Sequence, residues 1–106
     1  MRFVIHPAAE QEADDAADWY EREDLALALE FARSYRTMID DVFVHPRQYP
    51  EAEDAPEGYE CRNVVRVGRF PYRIVYAMVG DDIFVLAVAH HHRRPGYWQY
   101  RVRQTT

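Results

Sequence analysis

Apolar positions recur at helical spacing through the first half of the chain and at strand spacing through the second. From Ala8 to about Glu23, Ala9, Ala13, Ala16, Ala17 and Tyr20 return every three or four residues while acids fill the other side. Pro7 suits the first turn of this helix, where a missing N–H costs nothing. Its alanine face allows a neighbouring helix to approach closely, with Trp19 at the edge of the contact. Asp24 is placed to cap a second helix over about Leu25 to Val44. Ala28, Phe31, Ala32, Tyr35, Met38, Ile39 and Val42 form its stripe, and His45-Pro46 ends it. So short a connection implies an antiparallel helical hairpin.

Before the hairpin, Arg2 to Ile5 is a short β-prone segment. After it, residues 46–58 carry three prolines and four acids and read as a surface loop. Three strand-like runs follow, Tyr59–Val67, Phe70–Val79 and Ile83–His90, separated by Gly68-Arg69 and Gly80-Asp81-Asp82. They predict an antiparallel meander. The last run is apolar on both faces, as suits a central strand covered by the hairpin. The fold class is therefore α+β in two layers, in the order β-α-α-β-β-β, as a single domain over residues 1–106. Arg62, Arg66 and Arg73 are expected on the uncovered sheet face as a concave basic surface. The tail from Trp98 to Thr106 is expected to be mobile or docked by a partner.

Charge divides the chain. Residues 1–60 hold sixteen acids against five arginines, and residues 61–106 hold two acids against eight arginines, for a net charge of −5. Lysine is absent, so every fixed cation is a guanidinium that can fork onto a carboxylate or stack on an aromatic ring. Overall acidity argues against strong non-specific nucleic-acid binding, and the acidic helices read as solvated faces. No apolar run approaches the length needed to span a bilayer, and no signal-like segment opens the chain. A single cysteine, Cys61, forms no internal disulfide, which suits a reducing cytoplasm.

The stretch IFVLAVAHHHRRPGYW, from Ile83 to Trp98, concentrates the chemistry. A buried strand delivers three histidines, Arg93, Arg94, Tyr97 and Trp98 to its end. His90 and His92 share a face but no third metal ligand follows at a recognisable spacing, and two arginines oppose a cation, so no metal or other cofactor is expected. Ser34 and Cys61 sit in no nucleophile motif, and the acids lie on helices and a loop away from the basic tail. Two readings remain open. RNA cleavage could draw on Arg62, Arg73, His90, His92, Arg93 and Tyr97 as base, phosphate clamp and proton donor, with Tyr97 or Trp98 stacking a base. Recognition of an acidic protein surface would use Arg66, Arg73, His90, Arg93, Arg94, Tyr97 and Trp98.

Three segments carry a family resemblance, HPAAEQEADDAADWYE, HPRQYP and FPYRIVYAMVGDDIFVLAVAHHHRRPGYW. With the strand, hairpin and meander order, they make the chain resemble the RelE/ParE superfamily of toxins from bacterial type II toxin–antitoxin modules. The ending, with His90, Arg93, Pro95 and Trp98, is similar to the ParE type. His91 and His92 stand where a glycine and an arginine are more usual. The resemblance implies a toxin in a hetero-oligomer with its cognate antitoxin. It implies DNA gyrase as the target, with the ribosome and mRNA as the RelE-like alternative and a non-toxic antitoxin-binding member as a second. The acidic balance favours a protein target.

Overall fold

The computed structural model describes residues 1–105, in the order β1 (Phe3–Ile5), α1 (Pro7–Glu23), α2 (Leu25–Val44), β2 (Glu60–Val64), β3 (Tyr72–Val79), β4 (Asp82–His90) and a 3-10 helix (Gln99–Gln104). Both helices lie where the periodicity places them. His6 Nδ1 accepts the Ala8 N–H at 3.0 Å, so an imidazole caps α1 just ahead of Pro7. Asp24 serves both helices at once. Its backbone N–H closes α1 on the Tyr20 carbonyl, and its carboxylate accepts the Ala26 N–H at 2.9 Å to open α2. With one residue between them, the helices fold back into the expected hairpin.

β2, β3 and β4 form the antiparallel meander, and β1 adds to the free edge of β4 in parallel. The sheet order is β1-β4-β3-β2, which makes a mixed sheet in an α+β fold. Pairing between β2 and β3 stops at Val64, earlier than the apolar pattern suggests, and Val67 meets Phe70 in a separate bridge around the turn. Gly68 takes φ +57 there, and a Cβ would come within 2.8 Å of Ser34 Oγ, so the turn presses on α2.

The first core lies between hairpin and sheet. Ala9, Ala13 and Ala16 of α1 and Phe31 and Val42 of α2 bury against Ile74, Tyr76, Ile83, Val85 and Val88. Aromatic rings close its end: Phe70 lies 4.8 Å from Tyr20 and 5.3 Å from Phe31, and Tyr72 lies 5.4 Å from Phe31. These are edge-to-face contacts, which add to the burial of the rings themselves.

A second core occupies the opposite sheet face, and here the structure departs from the sequence reading. Cys61, Val75, Ala77, Phe84, Leu86 and Ala87 are buried beneath Trp98 and Val102 of the tail, with Ala52 of the 46–58 loop alongside. The tail as far as Thr105 is docked on its own sheet; Thr106 lies outside the described residues. A bulge in β4 widens this apolar face. Val75 pairs with Ala87 while Tyr76 pairs with Val85, so Leu86 is an extra residue and both Leu86 and Ala87 turn toward the tail.

The concave basic surface does not form. Arg62 pairs across from Tyr76 and so shares the hairpin face, whereas Arg73 alternates with Val75 onto the tail face. Arg66 lies beyond the end of β2 and donates to the Arg69 carbonyl at 2.8 Å. Strand register separates three residues that counting along the sequence had brought together.

Candidate functional site

His90 ends β4 opposite Tyr72, and the chain turns sharply after it. The Arg93 N–H donates to the His90 carbonyl at 2.9 Å, and the His92 N–H donates to His90 Nδ1 at 3.1 Å. His90 therefore carries its proton on Nε2 when neutral. Burial, and then the neighbouring His92 and His91, lower its pKa, which favours that neutral form. Its ring lies 5.1 Å from Tyr72 and 4.8 Å from His92. His91 swings away and donates from Nε2 to the Val65 carbonyl at 2.9 Å. The three consecutive histidines have three different surroundings. Among the described residues, no group of three or more His, Cys, Asp or Glu is arranged to hold a metal ion.

Two clefts flank this turn, and His90 and Arg93 line both. The larger, about 390 Å³, runs between Asn63, Arg73 and His91 on the sheet side and Glu51 and Glu53 of the loop. The smaller, about 270 Å³, lies between Asp15, Ala16 and Trp19 of α1 and Tyr72 and Val88 of the sheet. His90 and Arg93 thus form a ridge with an acidic wall on each side. Arg94 and His92 are exposed beside it.

The remaining candidates are spent inside the molecule. Arg73 makes a two-pronged ion pair with Asp54, and Arg62 pairs with Glu60 at 3.0 Å and reaches the Tyr49 carbonyl at 2.7 Å. Tyr97 donates its hydroxyl to Glu12 Oε2 at 2.7 Å, and Arg93 covers its ring at 3.8 Å. Burial, followed by the bond to Glu12, pushes the Tyr97 pKa up, so this phenol is a poor proton donor. Trp98 is fully buried, which removes it as a stacking platform or a direct target contact. Cys61 is buried as well, and its thiol is pushed up to about 11, far from a nucleophile.

Two acids missed by the sequence reading organise the tail. Glu12 accepts Arg101 through both oxygens, at 2.9 and 3.1 Å, together with Tyr97 and the Val88 N–H at 3.0 Å. Arg101 also donates to the Leu86 carbonyl at 2.9 Å. β1 stops at Ile5, and this side-chain pair takes over the β4 edge from there. Asp54 accepts Arg73, the Gly96 N–H at 2.8 Å and Trp98 Nε1 at 3.0 Å, while Gln99 donates to its carbonyl. The acids are therefore the partners of the basic tail, contrary to the expectation that they lie apart from it.

Burial disfavours the Asp54 carboxylate, but the bonds from Arg73, Gly96 and Trp98 outweigh it and hold the pKa at about 2, against 3.8 ordinarily. A depressed carboxyl stabilises the fold above its unfolded pKa, and that contribution disappears as pH falls through the folded value. Asp54→Asn should cost about 2 kcal/mol at pH 7, and the gap to the parent should shrink as pH drops from about 4 to 2. Urea midpoints of both proteins across that range measure it.

A family model described as the ParE toxin of the type II toxin–antitoxin system parDE matches residues 3–95. The chain belongs to that family. A solved structure described as the chromosomal ParDE TA system from P. aeruginosa superposes with a TM-score of 0.70 at 16% identity, covering 85% of this chain and 95% of that one. No curated protein sequence matches. The ParE toxin match ends at Pro95, just before the segment that builds the second core, and it includes the His90–Arg93 ridge. No helix among the described residues is long and apolar enough to cross a membrane.

Proposed function

We propose that the chain is a ParE-type toxin that binds a protein target, DNA gyrase, through the His90–Arg94 ridge, and that a cognate antitoxin neutralises it in a cytoplasmic hetero-oligomer. One observation carries the choice of a binding mode over RNA cleavage. Of the six side chains a ribonuclease site would draw on, Arg62, Arg73 and Tyr97 are committed to internal partners. That leaves His92 exposed on the turn and His90 and Arg93 between two acidic walls, where a phosphate backbone meets repulsion from both sides. A single acidic side chain on a protein surface can reach Arg93 and the exposed Arg94 without lying along either wall, and arginine is a favoured anchor in such contacts. Arg66 lies on the adjoining β2–β3 turn, whose Val65 carbonyl bonds to His91, and its guanidinium is turned onto the Arg69 carbonyl.

The test is a supercoiling and cleavage-complex assay with purified toxin. Arg93→Glu should weaken gyrase inhibition by about tenfold or more, the scale of one interface anchor, while leaving the unfolding midpoint close to the parent. Unaltered gyrase activity at micromolar toxin overturns the target. New 5′ ends on translated mRNA that vanish in a His90→Ala protein would establish the ribonuclease instead. Absence of growth arrest on expression would assign the chain to non-toxic antitoxin binders.

A further inference from the structure

Trp19 has no part in the ridge as read from the sequence, and the structure gives it a place beside it. The indole ends α1's run over the sheet and is 57% exposed, at the mouth of the 270 Å³ cleft. Tyr72 forms the facing wall, buried Ala16 and Val88 form the floor, and Asp15 stands at the rim. Of the charges lining the cleft, Glu12 is neutralised by Arg101, and Arg93 lies over the Tyr97 ring at 3.8 Å. Among the described residues, Asp15 accepts only the neutral Gln11 amide, at 2.9 Å. The helix supplying this wall carries seven acids against one arginine, which favours a cation on the α1 side of the mouth, with Arg93 on the side away from it.

We propose that this cleft receives an arginine or lysine side chain from a protein partner, with the cation on the Trp19 face and paired to Asp15. Tryptophan is the best cation–π surface among side chains, and an aromatic wall with a free carboxylate at its rim complements a basic residue in both shape and charge. An anionic polymer would face the acids of α1 there. Together with the ridge, the cleft defines a partner surface that presents a base toward α1 and an acid toward Arg93 and Arg94. The identity of that partner rests on the toxin reading; the chemistry of the cleft is tested without it.

The chain contains two tryptophans, and the buried Trp98 indole, bonded to Asp54, is an internal reference for Trp19. In ¹⁵N-labelled protein, a blocked Gly-Arg-Gly peptide should move the Trp19 indole N–H signal saturably and leave that of Trp98 in place. Asp15→Asn should weaken the binding about fivefold, the size of one exposed cation contact. Blocked Gly-norleucine-Gly and Gly-Glu-Gly should produce no saturable shift. Equal shifts from the norleucine peptide, parallel movement of both indoles, or a preference for a uridine hexamer each overturn the proposal. In the gyrase assay, Trp19→Ala should reduce inhibition while retaining the parent unfolding midpoint. Full inhibition by that variant overturns the place of the cleft on the target surface, and an inactive parent overturns only the target.

Discussion

Arg101→Met should destabilise the protein by about 3–5 kcal/mol, the cost of stranding one member of a buried ion pair. The side chains of Arg101 and Glu12 are only 6% and 16% exposed, so water cannot replace the lost partner. Methionine keeps the apolar stem but leaves Glu12 charged beside Tyr97 and the Val88 N–H, and the Leu86 carbonyl without its donor. Burial alone opposes the Arg101 charge, yet the bonds to Glu12 raise its pKa above the ordinary arginine value. Urea unfolding at pH 7 gives the loss directly. A Glu12→Gln, Arg101→Met double variant should recover part of it, because no uncompensated charge then remains. The exposed Arg69–Glu30 pair is an internal comparison. At 61% and 43% exposure, its removal should leave the urea midpoint close to the parent despite good geometry.

Trp98→Ala should cost about 3–5 kcal/mol by emptying the largest fully buried side-chain site in the molecule. The second core rests on few large side chains, chiefly Trp98, Phe84 and Leu86, so it has little with which to fill the gap. The indole also satisfies Asp54, which keeps its other bonds to Arg73 and Gly96. The expected state is a protein whose hairpin and sheet persist while the tail detaches. Limited trypsin digestion should then cut after Arg101 and Arg103 well before it attacks the hairpin. Trp98→Phe, which keeps most of the volume and loses only the N–H, should fall between parent and alanine variant.

These two side chains also mark where the sequence stops being informative. The hairpin was legible because its signals are local: alanines at helical spacing, Pro7 in the first turn, Asp24 at the joint. The meander was legible from glycine turns and apolar alternation. The second core was not, because it depends on pairs far apart in the chain. Arg101 meets a carboxylate 89 residues earlier, and Asp54 meets Trp98 44 residues later. A signal for the first existed. Glu12 falls three residues after Ala9 and four before Ala16, along the buried stripe, where a charge needs a partner. Trp98, just ahead of the 3-10 helix, and Val102 within it are both buried in the second core, a pairing that helical periodicity does not announce. The ridge itself was readable, since His90 and Arg93 lie where the strand end put them. Tyr97 and Trp98 come next in line, where adjacency alone places them on the surface, but a turn at Gly96 with φ +77 carries them inward.

The handover along β4 from backbone to side-chain partners has a kinetic meaning. The Ile83 amide is bonded to the Arg2 carbonyl just ahead of β1, whereas the Val88 amide five residues on is bonded to the Glu12 carboxylate, which Arg101 and Tyr97 hold from the tail. Hydrogen exchange at Ile83 should follow separation of the sheet, and at Val88 it should follow release of the tail. One strand therefore reports two openings of different free energy. The difference between them measures how firmly the tail is latched.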